Sequence, residues 1–342
     1  MTIVFCEVRN CSISEALSWI CWRRDGIGGF PPGRTPILPA PAGHYNTPLS
    51  AGDEGMEEHG ISELIELLDL EEIEKNHYRA ASPDEGWQRV YGGQVIGQAL
   101  VAASRTVSDD RQAHSLHGYF LRAGDTTVPI LYTVDRIRDG RSFTTRRVVA
   151  IQHGRPIFNM SISFQVEEEG FSHQFEVPDA PDPETLADER DLRAQWASEL
   201  PEGQAQPFTR QRPIDIRPVD PMNVFKPDRR PPRQMCWMKS RDPLPDDYRL
   251  HQCVLAYLSD WSLLDTATLP HAVSFLQENM QMASLDHAVW FHRRFRADEW
   301  LLYVQDSPSA GGARGLNRGL IYTRDGVLVA SAAQEGLIRL WE

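Results

Sequence analysis

Ser284-Leu285-Asp286-His287-Ala288-Val289-Trp290 opens a series of strand-forming runs that closes at Ala332-Ala333-Gln334. An earlier stretch does the same: Ser115-Leu116-His117-Gly118-Tyr119-Phe120 opens a series ending at Ser163-Phe164-Gln165. Ser284 stands 169 positions after Ser115, and Gln334 stands 169 positions after Gln165. The turn signals recur as well. His153-Gly154 and Asp325-Gly326 each sit between β-rich runs, where a tight hairpin turn belongs. Ser and Gln are common enough to coincide, but coincidence would not also reproduce the turns, so the chain reads as a duplicated unit.

Each copy carries one helix ahead of its strands. Gly92-Gly93 leads into Gln94 to Val107, and Cys253 to Leu269 forms the second. Both are apolar around most of their circumference, which marks a helix buried on several sides rather than one lying on a surface. An antiparallel sheet wrapped around such a helix is a hotdog fold. The expected class is α+β, a double hotdog with two antiparallel sheets, each wrapped around a central apolar helix.

The boundaries follow from changes in pattern. Residues 1–55 hold Trp19-Ile20-Cys21-Trp22, then a Gly/Pro-rich run from Gly26 to Gly43, with no sustained period. From Met56 onward the pattern is immediate, with Ile61, Leu64, Ile65, Leu67 and Leu68 at helical spacing. We therefore expect Met56 to be the true start and 1–55 to be a mis-annotated start, ahead of a disordered tail as the other reading. Residues 56–169 form the N-terminal hotdog domain. Residues 170–210 are a linker rich in Pro and acids, with one helix between Leu186 and Leu200. Residues 211–342 form the C-terminal hotdog domain, which carries the catalytic residues.

The totals agree. A chain of 342 residues suits two ordinary domains, and 41% hydrophobic with 24% charged residues is normal globular composition. A net charge of -13 gives nucleic-acid binding no electrostatic support. No run approaches the roughly 20 apolar residues of a membrane span, and no secretory signal opens the chain. Three of the five cysteines (Cys6, Cys11, Cys21, Cys236, Cys253) fall early, with no second close pair to complete a metal site. The expected setting is reducing and cytoplasmic, without disulfides, metal or cofactor.

Asp260 is the sharpest chemical signal. It sits in Leu258-Ser259-Asp260-Trp261-Ser262-Leu263-Leu264, inside the second apolar helix, where a bare carboxylate is costly. Its bland alternatives are a helix-face Asp reaching solvent and a structural hydrogen bond to backbone. Asp265, one turn on, is the rival. Ser284 lies in a strand from Met280 to Phe291 and Gln334 in a strand from Val327 to Ile338. Alone, each is more often structural than catalytic. Ser284 lacks the Gly-x-Ser-x-Gly turn of a nucleophile. His287, three positions further along the strand, faces the opposite side. A serine hydrolase is therefore not expected. By the offset, position 260 maps onto Tyr91, so only the second copy supplies an acid and the chain has one competent site. The first copy offers Gly92 and Gly93 at a helix N-terminus, where free N–H groups can polarise a carbonyl oxygen, close packing of helix on sheet being the other reading of the pair.

These residues together carry a resemblance. Tyr91-Gly92-Gly93-Gln94, Leu258-Ser259-Asp260, Ala283-Ser284-Leu285-Asp286-His287 and Gln334-Glu335-Gly336 resemble the acyl-CoA thioesterase II family over nearly all of the chain after Met56. Further matching stretches are Trp290-Phe291-His292-Arg293 and Glu299-Trp300-Leu301-Leu302-Tyr303. The resemblance implies a double hotdog in which Asp260, Ser284 and Gln334 surround the attacking water. Many bacterial members have Thr where this chain has Ser284; the hydroxyl is kept. It also implies a fatty acyl-CoA substrate, an acyl-CoA thioester hydrolase activity, and a homo-oligomer, dimer or higher. Arg293, Arg294, Arg314 and Arg318 are candidates for the CoA phosphates. The competing readings are an enoyl-CoA hydratase, which would need an Asp and His at a short fixed spacing, and a non-catalytic acyl-CoA-binding hotdog protein.

Overall fold

The computed structural model describes residues 61–82, 89–198 and 212–341. The 1–55 segment with Cys6, Cys11 and Cys21, and the start at Met56, lie outside the described residues.

Six strands precede the midpoint: β1 (Glu71–Glu74), β2 (His77–Ala80), β3 (Arg111–Phe120), β4 (Ile130–Asp139), β5 (Phe143–Gln152) and β6 (Arg155–Val166). Seven follow: β7 (Ile214–Pro218), β8 (Arg233–Ser240), β9 (Met280–Ser284), β10 (Asp286–Phe291), β11 (Leu301–Gly311), β12 (Arg314–Thr323) and β13 (Leu328–Leu340). They form an antiparallel sheet in the order β1-β2-β4-β5-β6-β3-β10-β13-β12-β11-β8-β7, with β9 also paired to β13. The second half of that order repeats the first in reverse. The two expected sheets are thus joined edge to edge where β3 meets β10, Leu116 opposite Val289.

The turns form where their residues allow them. His153 and Gly154 both take positive φ, 49° and 68°, the geometry that folds β5 back onto β6 in two residues. At the matching corner Gly326 has φ 87°, and Thr323 and Val327 close the turn by hydrogen bonds. Inside the strands, alternate residues point inward. In β5 these are Thr144, Arg146, Val148, Ala150 and Gln152, all buried.

Four α-helices complete the described residues: α1 (Ile61–Leu68), α2 (Gly92–Ser104), α3 (Glu189–Ala197) and α4 (Tyr248–Leu258). α2 and α4 are the two central helices, and they lie antiparallel against each other. A Cβ on Gly93 would run into the Tyr257 carbonyl, and one on Gly97 would come within 3.2 Å of the Cys253 carbonyl, so backbone touches backbone. Ile96, Leu100, Val254, Leu255 and Leu258, all at 0% exposure, belong to one core shared by both halves.

Two sequence expectations change here. The second central helix was expected from Cys253 to Leu269, with Asp260 inside it. It begins five residues earlier, capped by Asp247, and ends at Leu258. Beyond it Ser259 still gives its N–H to the Leu255 carbonyl, but Trp261 bonds only three residues back and Ser262 adopts φ 57°, which ends the helical ladder. Asp260 therefore follows the helix. The expected linker helix is shorter too, Glu189–Ala197. Before it, Ala180 and Leu186 pack on Trp237, Trp300 and Tyr322 across the outer face of the sheet, and Trp237 donates to the Pro181 carbonyl at 2.9 Å.

Candidate active site

The antiparallel contact of α2 and α4 brings the start of one helix to the end of the other. Asp260, just past α4, lies over Gly92, the first residue of α2: a Cβ at Gly92 would fall 2.6 Å from Asp260 Oδ2. The first-turn N–H groups of α2 have no intrahelical partner, and Tyr91 provides no side-chain cap. That helix end favours a carboxylate beside it. Oδ1 turns the other way and accepts from Gln334 Nε2 at 2.5 Å. The Asp260 side chain is only 7% exposed.

Ser284 ends β9. The next residues pair out of step. Ser284 faces Gly336 and Ala288 faces Ala333, so four steps on one strand match three on the other. This is a one-residue bulge at Leu285. The Asp286 carboxylate holds it by accepting from the Glu335 N–H at 2.7 Å, and Leu285 spends its own N–H on the Glu335 carbonyl. The bulge has a chemical consequence. Residues three apart on a regular strand point to opposite faces, but Ser284 and His287 here point the same way. Gln334 Nε2 reaches Ser284 Oγ at 3.1 Å and His287 Nδ1 at 3.2 Å. The expectation that His287 faces away is overturned, and its only sequence signal would have been the bulge.

His287 is 1% exposed, with Nδ1 3.8 Å from Asp260 Oδ1 and Nε2 2.8 Å from Ser259 Oγ. Burial lowers its pKa, against opposing pulls from Asp260 and Asp286, which favours the neutral ring. It sits behind Gln334 with both nitrogens occupied. The Asp–His proximity thus does not restore the hydratase reading, since Nδ1 is taken by Gln334 and Nε2 by Ser259.

Two cavities meet at this point. One of about 910 Å³ includes Asp260, Trp261, Asp265, Arg193 and Arg212 in its wall. The other, about 350 Å³, is largely apolar, with Val95, Phe120, Phe158 and Leu285. Gly92 and Ser284 belong to both. Gly93 and Gln334 line neither: Gly93 packs against Tyr257 and the Tyr91 ring, and Gln334, 1% exposed, reaches the site through its contacts with Asp260 and Ser284. Of the four arginines expected near phosphates, Arg294 pairs with Glu167 at 2.8 Å, Arg314 with Glu335 at 3.0 Å and Arg318 with Asp306 at 2.8 Å. Arg293 binds the Leu328 carbonyl. None of them lines these cavities; Arg193 and Arg212 line the larger, Arg122 the smaller, and Arg89 both.

The offset of 169 does not carry through the fold. Tyr91 precedes its helix, whereas Asp260 follows its own, so the two are not equivalent; they meet only because the helices run antiparallel. At the end of α2, Thr106 is instead held by the buried Arg146, at 2.8 Å. Ser115 faces Ser163 and Gln165 faces Gln112, and among the described residues no hydrogen bond joins Ser115 to Gln165.

Two hotdog units on one sheet, with an acid, a hydroxyl and a carboxamide gathered at the seam between their helices, define a double-hotdog thioesterase. Comparison with known proteins gives the family. Residues 204–337 match the acyl-CoA thioesterase family and residues 83–165 match the acyl-CoA thioesterase N-terminal domain. The chain is 42% identical to acyl-CoA thioesterase 2 of Haemophilus influenzae, over 82% of this chain and 99% of that protein. It is similar to the crystal structure of the acyl-CoA thioesterase II TesB2 from Mycobacterium marinum, at TM-score 0.66 and 46% identity, covering 81% of this chain and 98% of that one. A hot dog fold protein of Alicyclobacillus acidocaldarius, at 17% identity, shares the fold with TM-score 0.65, over 81% of this chain and 98% of that one. The chain belongs to the acyl-CoA thioesterase family.

Proposed function

We propose that this acyl-CoA thioester hydrolase cleaves fatty acyl-CoA to free fatty acid and CoA by direct attack of water, with Asp260 as the general base. The observation that carries the reading is Gln334 Nε2, which bridges the Asp260 carboxylate and the Ser284 hydroxyl where the two cavities meet. Ser284 and Gln334 hold the water, and Asp260 takes its proton as the oxygen adds to the thioester carbonyl. The oxyanion develops beside the free N–H groups at the start of α2, Gly92 foremost. Collapse breaks the C–S bond, and the proton on Asp260 leaves with the thiol. A thioester carbonyl is electrophilic enough that no acyl-enzyme is required.

The shapes support an orientation. The apolar cavity suits the acyl chain, and the larger cavity, which alone of the two has Arg193 and Arg212, suits the phosphorylated end of CoA. In the same reading 56–169 and 211–342 are the two hotdog domains and 170–210 the linker. The chain works as a homo-oligomer in the cytoplasm; no helix among the described residues is long and apolar enough to cross a membrane. Release of free thiol from acyl-CoA chains of graded length, followed with a thiol reagent, tests the reaction and its acyl range. Binding without release would support the non-catalytic reading instead.

A further inference from the structure

We propose that His287 is a positioning residue for Gln334, holding its amide with Nε2 toward Asp260. The inference rests on the reading of Asp260, Ser284 and Gln334 as the water-activating set.

Ser259 Oγ has one hydrogen, and it goes to the Ala256 carbonyl in the last turn of α4, 2.9 Å away. Ser259 Oγ also lies 2.8 Å from His287 Nε2. In that contact the hydroxyl can only accept, so Nε2 carries the ring hydrogen. With the ring neutral, Nδ1 is a bare acceptor, and it receives Gln334 Nε2 at 3.2 Å. A chain of donors thus runs from Gln334 through His287 and Ser259 to a helix carbonyl that cannot turn.

This chain settles which way the amide points. A Gln amide can rotate by half a turn with little change in shape, and only its partners choose between the two orientations. Among the described residues no donor reaches the buried Gln334 Oε1, so the partners that make the choice are those of Nε2. The choice is made at Nε2, which faces two groups that only accept, Asp260 Oδ1 and His287 Nδ1. In the rotated state an oxygen would face a carboxylate and a bare nitrogen. Nε2 has two hydrogens for three acceptors. One goes to Asp260 Oδ1, and the other lies between His287 Nδ1 and Ser284 Oγ, 3.2 and 3.1 Å away.

Two side chains separate the roles of the ring. Asn at 287 places an oxygen near the Nδ1 position, and Gln places its amide near the Nε2 position. Hydrolysis of one acyl-CoA is measured for His287→Gln and His287→Asn, each alone and with Gln334→Ala. We expect His287→Gln to lower kcat about 10- to 100-fold with KM within about twofold, and His287→Asn to recover most of that loss. With Gln334→Ala present, neither change should lower kcat further. An undiminished kcat in His287→Gln, an equal loss on both backgrounds, or no recovery with Asn overturns the proposal. If Gln334→Ala itself keeps full rate, the water-activating reading fails, and the tautomer then decides the positioning claim alone. Nitrogen-15 NMR of labelled histidine in the unmodified protein should show His287 with Nε2 protonated and Nδ1 bare. A hydrogen on Nδ1 overturns the proposal whatever the kinetics.

Discussion

Asp260 Oδ1 and Gln334 Nε2 meet at 2.5 Å across 74 residues of chain, one just past the end of a central helix and the other in the last strand. Three features have to coincide for that contact. α4 must stop at Leu258 so that Asp260 can leave the helix, α2 must present Gly92 so that the carboxylate has room, and β13 must aim Gln334 inward. The bulge at Leu285 then adds Ser284 and His287 from the same face. The acid and the polar side chains come from the second half, and the helix N-terminus comes from the first.

Asp260→Asn should abolish most turnover while the fold persists. Asn keeps the shape but cannot take a proton, and loss of a general base costs on the order of 10²–10⁴ in rate, about 3–5 kcal/mol. Ser284→Ala and Gln334→Ala should also lower kcat, and their losses should not add to that of Asp260→Asn because all three serve one water. Steady-state kinetics on an acyl-CoA, with melting temperature as the folding control, decides the matter. Near-normal turnover in folded Asp260→Asn refutes the mechanism.

Gly92→Ala should cost activity and little stability. Its methyl would fall 2.6 Å from Asp260 Oδ2 and 3.0 Å from the Phe120 ring, so the carboxylate has to move. At this first helical position Ala gains less than the roughly 1 kcal/mol it has over Gly in a helix interior, so propensity changes stability little. We expect kcat to fall at least about tenfold, a displacement of the base being enough for that, with a melting temperature near that of the unmodified protein. An unchanged kcat would mean that the base does not work from this position.

What the sequence disclosed, and what it hid, divides along physical lines. The duplication and its central helices were legible because hydrophobic pattern and turn residues are local signals. Asp260 stood out because a carboxylate among Leu258, Leu263 and Leu264 demands a partner. The helix end was missed because it is set by a tightened last turn and the left-handed backbone at Ser262, which an apolar pattern does not record. His287 was misjudged because a strand was assumed regular, and the bulge depends on Asp286 finding the Glu335 N–H in another strand. The arginines at the cavity were missed for the same reason: Arg193 reaches it from the linker helix, far from the β-rich motifs.

Arg212→Ala should raise KM for acyl-CoA about tenfold, roughly 1.4 kcal/mol of charge-assisted contact. Its guanidinium lies 4.2 Å from the Trp261 ring centre at the wall of the larger cavity. The same change should leave KM for an acyl-pantetheine, which lacks the nucleotide, nearly unaltered. Equal effects on both substrates would place the phosphorylated end of CoA elsewhere.

Asp265→Asn should stabilise the protein at neutral and alkaline pH while sparing catalysis. Burial raises the Asp265 carboxyl from 3.8 to about 6; the Arg193 charge opposes this, and Glu189 and Asp260 reinforce it. The unfolded chain releases this proton near pH 4, and the folded chain holds it until about pH 6. Between those values unfolding releases a proton, so this group's contribution to stability falls as pH rises through the window and stays lost above it. Asn carries no charge and escapes that penalty. The full shift corresponds to about 3 kcal/mol, and because the side chain is partly open to the cavity we expect about 1–2 kcal/mol, a few degrees in melting temperature. The gain should be present at pH 8 and close at pH 4; a gain of equal size at both would show that ionisation is not its source. Turnover separates the two carboxylates. Asp265→Asn should keep kcat within a few-fold of the unmodified enzyme, and a loss as deep as that of Asp260→Asn would transfer the role of base to Asp265.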